Sequence, residues 1–361
     1  MSKNIRDLRQ KELADAWWNG GKYGIIYACP RFGKIRTTIN ILKKMKPDCN
    51  ILIAYPDQKI QQSWIEDFEE MNYVNDNITY TTHLSLHKFT SIEFDIVIID
   101  EIHLLSEAQI GACVDLFSVN DNILGLTGTL SKWTKRTLSE ELGLEVIAEY
   151  PIEKAIEEGV IVDYQITVVR VPLDNTVKQK YKTKLKTEKE QFKALSYVIN
   201  KMMYNGDNSM FMRLARMRLI QNSLAKLNET KRLLKKWSDE RILVFCGTTK
   251  VADALGIPSH HSKSKDKEVF KKFAEGEGKH MAVVKIGNTG ITYKPLNKVI
   301  INYFDSNAEN LAQKINRCMA MEYNTPDKKA HIYIISSDEL VEQKWLKKAL
   351  EFFDENKIKY V

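Results

Sequence analysis

The stretch Asp95-Ile-Val-Ile-Ile-Asp100-Glu101-Ile102-His103 decides the fold. Its run of β-branched residues, 96–99, predicts a strand that is buried on both faces, which is typical of a parallel sheet covered by helices. Two adjacent carboxylates follow the strand. Because ligands of open α/β sheets bind beyond the carboxyl ends of the strands, Asp100 and Glu101 are expected to face a ligand crevice. The alternative, an acidic pair in a surface loop, is disfavoured by the core character of the strand.

Strand and helix patterns alternate on both sides of this stretch. The first series of predicted strands is Tyr23–Ala28, Ile51–Tyr55, Ile78–Thr82, Asp95–Asp100 and Ile123–Thr127. The second series is Gln165–Val171, Ile242–Cys246, Met281–Lys285, Lys298–Asn302 and His331–Ile335. Amphipathic segments such as Lys34–Lys46 lie between strands. The pattern predicts an α/β fold of two tandem lobes, each a mostly parallel sheet with flanking helices.

The lobes are predicted over residues 1–155 and 156–361, with Pro151–Val162 carrying the crossing between them. Thr176–Lys236 is predicted to be a helical insertion in the second lobe, broken by a turn at residues 205–208. The segment Ser337–Lys357 is predicted to form a C-terminal helix.

Composition limits the class of protein. The 361 residues are 43% hydrophobic and 28% charged, which suits two globular domains with buried cores. No apolar run reaches the ~18 residues of a transmembrane helix, and the charged N-terminus is unlike a secretory signal. The 5 cysteines are scattered without metal-ligand spacing, which favours a reducing interior. We therefore expect a cytoplasmic protein, in a bacterium or a host cell, that does not enter membranes.

Positive charge concentrates in the predicted insertion. Residues 176–236 contain 16 Lys and Arg against 4 Asp and Glu, whereas the whole chain has a net charge of only +7. Such a run is either a solvated helical face or a contact surface for nucleic acid or a partner protein. Aromatic residues within the run favour nucleic acid. They are Tyr181, Phe192, Tyr197, Tyr204 and Phe211.

A second motif lies upstream, where the first predicted strand runs into Ala28-Cys29-Pro30-Arg31-Phe32-Gly33-Lys34-Ile35. A strand, a tight turn with Gly-Lys and a helix form the layout of a phosphate-binding loop, whose lysine reaches the β and γ phosphates. Ala28 and Arg31 stand where glycines are common. Arg31 either touches phosphate or points to solvent. The whole loop, Ala28 to Ile35 without Cys29, is the candidate cofactor-binding segment.

The two motifs divide the chemistry of triphosphate hydrolysis. Asp100 is predicted to hold Mg²⁺, often through water, and Glu101 to orient or deprotonate the attacking water. The loop departs from the usual pattern at Ile35, where a Ser or Thr normally ligates Mg²⁺. Thr37 and Thr38 follow, but helical geometry is expected to turn their hydroxyls away.

The acidic stretch resembles the Asp-Glu-x-His box of superfamily 2 helicases, in the form seen in compact phage-type helicases and restriction-enzyme motors. Further motifs follow in the family's order. They are Arg9-Gln10 (adenine reading), Ala54-Tyr55-Pro56 with Gln61 behind it, Leu126-Thr127-Gly128-Thr129 (third), Ile242–Gly247 (fourth), Asn288–Ile291 (fifth) and Gln313–Arg317 (sixth). The resemblance covers nearly the whole chain and implies two RecA-like lobes with ATP and Mg²⁺ as cofactors.

The resemblance also implies roles for single residues. Lys34 would bind phosphate, and Arg317 would enter the site from the opposite lobe as the catalytic arginine. Further nucleotide contacts are implied for Gln10, Gly290 and Gln313. Nucleic-acid contact or coupling to hydrolysis is implied for Pro56, Gln61, His103, Thr127, Thr129 and Thr289.

The expected function is an ATP-dependent helicase or translocase that acts on single-stranded or branched DNA, with RNA as the alternative substrate. Two departures leave other interpretations open. Ile35 removes a hydroxyl from the Mg²⁺ site, and Ala320 stands at the last arginine position of the sixth motif. A slow or non-hydrolysing, ATP-gated clamp is one alternative. A translocase that moves on duplex without separating its strands is the other.

Overall fold

Two parallel sheets with flanking helices make up the part of the chain that the structure, a computed structural model, describes. The described residues are 2–181, 183–264, 268–284, 296, 298–305, 307–316, 319 and 329–361. They form two compact units that divide between Val162 and Asp163. The predicted α/β fold with two sheets is confirmed. Every helix in these ranges is too short or too polar to cross a bilayer.

The first unit is built on a sheet of parallel strands in the order β3-β2-β4-β5-β1-β6. The strands are β1 (Tyr23–Ala28), β2 (Ile51–Tyr55), β3 (Ile78–Thr82), β4 (Ile96–Ile99), β5 (Ile123–Thr127) and β6 (Val146–Tyr150). The helices are α1 (Ser2–Asn19), α2 (Lys34–Leu42), α3 (Gln61–Glu70), α4 (Glu107–Ser118), α5 (Lys132–Leu142) and α6 (Ile152–Glu157). Because all strands run the same way, their carboxyl ends share one edge of the sheet.

Uniformly apolar strands place the core of this unit at the centre of the sheet. Every residue of β2, β4 and β5 is buried, as expected for strands covered by helices on both faces. Gly125 in β5 leaves room for Ile102, since a Cβ at Gly125 would lie 3.0 Å from the Ile102 Cδ1 atom. The turn that follows the two carboxylates is therefore packed directly against the central strand.

The second unit contains a parallel sheet in the order β11-β12-β10-β13-β14-β7-β15 and a separate antiparallel pair, β8-β9. The strands are β7 (Asp163–Val171), β8 (Gln179–Tyr181), β9 (Lys184–Lys186), β10 (Ile242–Cys246), β11 (Ser259–His260), β12 (His280–Val284), β13 (Lys298–Ile301), β14 (Lys329–Ser337) and β15 (Ile358–Tyr360). The helices are α7 (Glu188–Tyr204), α8 (Met210–Gln221), α9 (Leu224–Lys236), α10 (Thr249–Ala254), α11 (Glu268–Glu275), α12 (Ala308–Asn316) and α13 (Leu340–Ala349).

The segment 176–236 differs from the predicted helical insertion at both ends. It begins with the hairpin β8-β9, and lysine alternates with other residues over 178–186, which is the period of a strand rather than a helix. It ends with α9, which packs on the central sheet. The predicted turn at 205–208 does separate α7 from α8. The predicted C-terminal helix ends at Ala349, and the chain then adds β15 to the sheet edge beside β7.

A buried ion pair fixes α9 and α13 to the sheet of the second unit. The Lys226 ammonium donates to Glu342 Oε1 at 2.6 Å, and the two side chains are 1% and 0% exposed. The other carboxylate oxygen of Glu342 accepts from the Ser337 N–H at 2.7 Å, at the end of β14. Asn302, directly after β13, donates to the Lys226 carbonyl and the Thr230 hydroxyl. The pair thus joins two helices to two strand ends.

Replacement of Lys226 by Met should destabilise the second unit by about 3–5 kcal/mol, because it leaves the Glu342 carboxylate buried without a partner. The double variant Lys226→Met/Glu342→Gln should regain much of this loss, since the introduced amide is neutral and its oxygen can still accept from Ser337. Urea unfolding, monitored by circular dichroism, measures the free energy of unfolding of both variants. A double variant no more stable than Lys226→Met would contradict this view of the pair.

Candidate functional site

Charged and polar side chains converge where β1, β4 and β5 end. The Lys34 ammonium, at the start of α2, donates to Glu101 Oε1 at 2.6 Å. His103 Nδ1 lies 3.4 Å from the other oxygen of Glu101. The side chains of Lys34 and Glu101 are 13% and 24% exposed, so the pair is largely shielded from water without being closed to a ligand.

The loop before Lys34 is held in an unusual backbone conformation. Gly33 has φ of 98°, in the left-handed region, and caps α2. A Cβ at Gly33 would lie 2.5 Å from the Gln10 side-chain nitrogen, which donates to the Phe32 carbonyl at 2.8 Å. Gln10 is buried, so helix α1 supports the loop through this hydrogen bond. Since the first amides of a helix have no acceptor within it, the start of α2 can bind an anion.

Two residues other than glycine also adopt positive φ beside this site. They are Arg31, with φ of 69°, and Glu101, with φ of 49°. Such conformations cost free energy for residues with a Cβ and persist only where the surrounding structure holds them. Arg31 belongs to the phosphate-loop motif and Glu101 is the second carboxylate of the acidic motif. Lys22 and Asn72, elsewhere in the same unit, also adopt positive φ.

Asp100 is the more buried carboxylate. Its Oδ1 accepts from the Glu101 N–H at 3.0 Å and its Oδ2 from the Trp64 indole at 3.3 Å. Burial and the neighbouring Glu101 raise the pKa of Asp100 to about 6. The Asp100 carbonyl pairs with His83 Nε2 at 2.9 Å, and burial lowers the pKa of His83 to about 4. A bound cation would relieve the unfavourable setting of the Asp100 carboxylate.

The Lys34–Glu101 pair keeps both of its charges. Although burial would raise the pKa of Glu101, the Lys34 ammonium holds it below its ordinary value. Burial likewise opposes the charge of Lys34, but Glu101 and Asp100 raise its pKa. The Lys34 ammonium is therefore paired with the Glu101 carboxylate and can exchange this partner for another anion.

His103 links this pair to the end of β5. Its Nδ1 lies 2.9 Å from the Thr127 hydroxyl, and its Nε2 lies 3.3 Å from the Thr129 hydroxyl. The Thr127 hydroxyl donates to the Thr129 carbonyl at 2.5 Å, which leaves its oxygen to accept from His103 Nδ1. Burial lowers the pKa of His103 to about 4, so the ring is neutral. Movement of the Glu101 carboxylate would therefore reach both threonines through the His103 ring.

Other predicted residues surround this centre. Ala28 is buried at the end of β1, and Pro30 lies close to Gly128, whose Cβ position is also 3.3 Å from the Lys34 nitrogen. Pro56 follows β2, and Gln61 accepts from the Tyr55 hydroxyl at 2.9 Å. These residues lie in the first unit with Lys34, at or beyond the carboxyl ends of its strands.

The helix after the loop offers no hydroxyl toward the site within residues 34–38. The Ile35 side chain has no hydroxyl group. The hydroxyls of Thr37 and Thr38 donate back to the carbonyls of Gly33 and Lys34 at 3.3 and 3.1 Å. The expectation that helical geometry turns both away is therefore confirmed. In the described residues, no cluster of three or more His, Cys, Asp or Glu is arranged to hold a metal ion.

The second-lobe members of the predicted site remain predictions. Arg317, Gly290, Thr289 and Ala320 lie outside the described residues. Gln313 lies in α12, and the role of its side chain stays a prediction.

Two contacts of the site were absent from the sequence prediction. His83 supports Asp100 through a backbone carbonyl, and the one available signal was its position directly after the strand β3. Trp64, in α3, donates to Asp100, and no sequence pattern predicts this bond. Both are positioning contacts to the acidic motif.

Comparisons with known proteins agree with the motifs. Residues 225–321 match the family described as helicase conserved C-terminal domain. The fold is similar to that of Saccharomyces cerevisiae Dbp5 bound to RNA and ADP BeF3, with a TM-score of 0.60, 11% identity, and coverage of 98% of this chain and 89% of that one. It is also similar to the Pyrococcus furiosus Hef helicase domain, with a TM-score of 0.54, 13% identity and 97% coverage of both chains. No curated protein sequence matches the chain.

The predicted fold of two RecA-like lobes is confirmed, and the family match supports the predicted resemblance to helicases over residues 225–321. The structural likeness extends over nearly the whole chain, while the family match lies in the second unit.

Replacement of His83 by Gln should change how stability depends on pH. The folded pKa of His83 is about 4, below the ordinary 6.5, so between these values the unfolded chain binds a proton that the folded chain does not. The wild type should therefore lose stability relative to His83→Gln as pH falls from 6.5 to 4, by up to about 3 kcal/mol. Glutamine can still donate to the Asp100 carbonyl. Urea unfolding at several pH values measures this difference, and a constant difference would contradict the assignment.

Proposed function

We propose that the chain is an ATP-dependent helicase or translocase that acts on DNA, with its phosphate site at Lys34. The observation that carries the proposal is the Lys34–Glu101 pair, held at 2.6 Å beside the buried Asp100. It combines a cation at a helix start with two carboxylates at a strand end, which are the groups that phosphoryl transfer to water requires. The resemblance of the sequence motifs to those of superfamily 2 helicases supports the same reaction, the hydrolysis of ATP.

Lys34 and Glu101 would act in sequence. The γ-phosphate of ATP competes with Glu101 for the Lys34 ammonium, while the amides at the start of α2 bind phosphate oxygens. Glu101, released from Lys34, is then placed to accept a hydrogen bond from the attacking water. A carboxylate in this position can orient the attacking water.

Asp100 fits the cation that accompanies ATP. Mg²⁺ is commonly bound through one or two carboxylates together with substrate phosphates and water, so a single buried carboxylate suffices. When bound, Mg²⁺ would supply charge neutralisation at the phosphate oxygens. The bonds from the Trp64 indole and the Glu101 N–H hold the Asp100 carboxylate in a fixed orientation for this role.

His103, Thr127 and Thr129 would couple the nucleotide to nucleic acid. His103 lies 3.4 Å from Glu101 and pairs with the hydroxyls of both threonines, so it connects Glu101 to the loop after β5. A shift of Glu101 on phosphate binding would therefore alter that loop. Gln10 already donates to Phe32, so an adenine contact would use the remaining oxygen and hydrogen of its amide.

The second lobe enters the proposal through the sequence motifs and the family match. Arg317 is proposed as the catalytic arginine, Gly290 and Gln313 as nucleotide contacts, and Thr289 as a nucleic-acid contact. Pro56 and Gln61 are proposed as nucleic-acid contacts on the first lobe. The structurally similar Dbp5 was solved with RNA, so RNA belongs beside single-stranded, duplex and branched DNA in the assays.

A slow, ATP-gated clamp is the second candidate. The observation that favours it is the lack of a loop hydroxyl for Mg²⁺, since Ile35 has none and the hydroxyls of Thr37 and Thr38 are turned back into α2. A clamp would bind ATP and nucleic acid together without strand-stimulated turnover.

Strand-displacement and triplex-displacement assays separate a helicase from a duplex translocase.

Replacement of Lys34 by Ala should abolish ATP turnover that single-stranded DNA stimulates, with a loss of at least about 100-fold, because a group that stabilises the transferring phosphate is removed. Steady-state phosphate release measures this loss. Lys44→Ala is the matched control, since Lys44 is a more exposed lysine of the same unit that pairs with Asp15. Undiminished turnover in Lys34→Ala would contradict the site, and a fall in the control would show that the loss is not specific.

A further inference from the structure

The outer face of α7 carries two tyrosines among polar and basic residues. Lys193, Tyr197, Asn200 and Tyr204 follow at spacings of three or four residues, so they share one face of the helix. Tyr197 is 69% exposed and Tyr204 is 92% exposed. We call these four residues, together with the neighbouring exposed Lys201, the α7 stripe.

The opposite face of α7 is anchored in the second unit. Phe192, Leu195 and Ile199 are buried. Phe192 packs with Leu173 and Ile220 in an apolar cluster. Arg216 of α8 lies over the Phe192 ring and donates to the Ser196 hydroxyl at 3.1 Å. The stripe is therefore presented on a supported helix rather than on a free segment.

The tip of the α7–α8 hairpin extends the exposed apolar surface. Met203, Met210 and Phe211 are 54%, 60% and 78% exposed. Single exposed apolar residues are normal, but three that flank one turn, at residues 205–208, favour a binding surface. The segment that carries them is basic, because residues 176–221 contain 11 Lys and Arg against 3 Asp and Glu, while Asp338 and Glu339 lie near Lys193 at the other end of α7. Within the described residues, neither Lys193 nor Lys201 forms an ion pair with a carboxylate.

We propose that the α7 stripe binds single-stranded nucleic acid, with bases stacked on Tyr197 and Tyr204 and phosphates bound by Lys193 and Lys201. Aromatic faces among cations are the means by which proteins hold single strands without reading their sequence. The positive charge around the stripe complements phosphate, which favours nucleic acid over a protein partner. This proposal rests on the proposed function and adds a strand-binding surface outside the helicase motifs.

The spacing of the tyrosines fits a strand. Tyr197 and Tyr204 are separated by about 10 Å along the helix axis, at about 1.5 Å per residue. This is roughly three steps of stacked bases at about 3.4 Å each. Two bases about three nucleotides apart can therefore stack on the two rings while the intervening backbone passes Lys201.

The test compares two fluorescent strands of equal length, one with all its bases and one abasic, at a fixed salt concentration. The wild type should bind the base-bearing strand more tightly. Tyr197→Ala/Tyr204→Ala should weaken that binding by at least about 20-fold, because loss of each stack costs roughly fivefold or more, and should leave abasic binding nearly unchanged. Tyr197→Phe/Tyr204→Phe should retain the preference, since phenylalanine still stacks.

Tyr360→Ala is the matched control, because Tyr360 is an exposed tyrosine elsewhere in the same unit. Circular dichroism of each variant verifies folding. An alanine pair that keeps the wild-type preference for bases would overturn the proposal, as would equal binding of both strands by the wild type. The proposed function is tested separately by strand-stimulated ATP turnover of the wild type. If the wild type shows a tyrosine-dependent preference for bases but no strand-stimulated ATP turnover, the proposed function is contradicted and the α7 stripe is supported as a binding surface.

Discussion

The site depends on one ion pair, between Lys34 at the start of α2 and Glu101 after β4. The two residues are 67 positions apart and their charged atoms lie 2.6 Å apart. This contact exists because β1 and β4 are parallel strands of one sheet, with β5 between them, and therefore deliver the residues that follow them to the same edge. The buried strands fix the positions, and the polar chemistry lies just beyond their ends.

Local strain is present around this pair. Arg31 and Glu101 adopt positive φ, and Asp100 is a carboxylate that burial makes unfavourable. Each of these features costs free energy, which the packing of Ile102 against Gly125 and the bond from Gln10 to the loop help to offset. A ligand that brings phosphate to Lys34 and a cation to Asp100 would relieve part of this cost. The strain thus marks the place where binding can change the conformation.

The sequence predicted what depends on local pattern. Strands such as Ile51–Tyr55 and Ile123–Thr127 match to the residue, because short, mostly apolar runs between polar or amphipathic segments are too short for a buried helix. The edge strand β15 was missed, since only pairing with the distant β7 makes it a strand. Asp100 and Glu101 could be placed at the sheet edge from the sequence because they directly follow the buried strand β4. His83 and the Lys226–Glu342 pair were missed because their contacts join segments that no periodicity relates.

The central claim is that Lys34 exchanges Glu101 for the phosphate of ATP and that Glu101 then serves the attacking water. Single-turnover hydrolysis and equilibrium binding of a fluorescent ATP analogue by Glu101→Gln test it most directly. Binding should match or exceed that of the wild type, because the competitor of the phosphate for Lys34 has lost its charge. The hydrolytic step should fall by about 100-fold or more, the usual contribution of a positioned general base. Hydrolysis at the wild-type rate, or loss of nucleotide binding, would contradict the account.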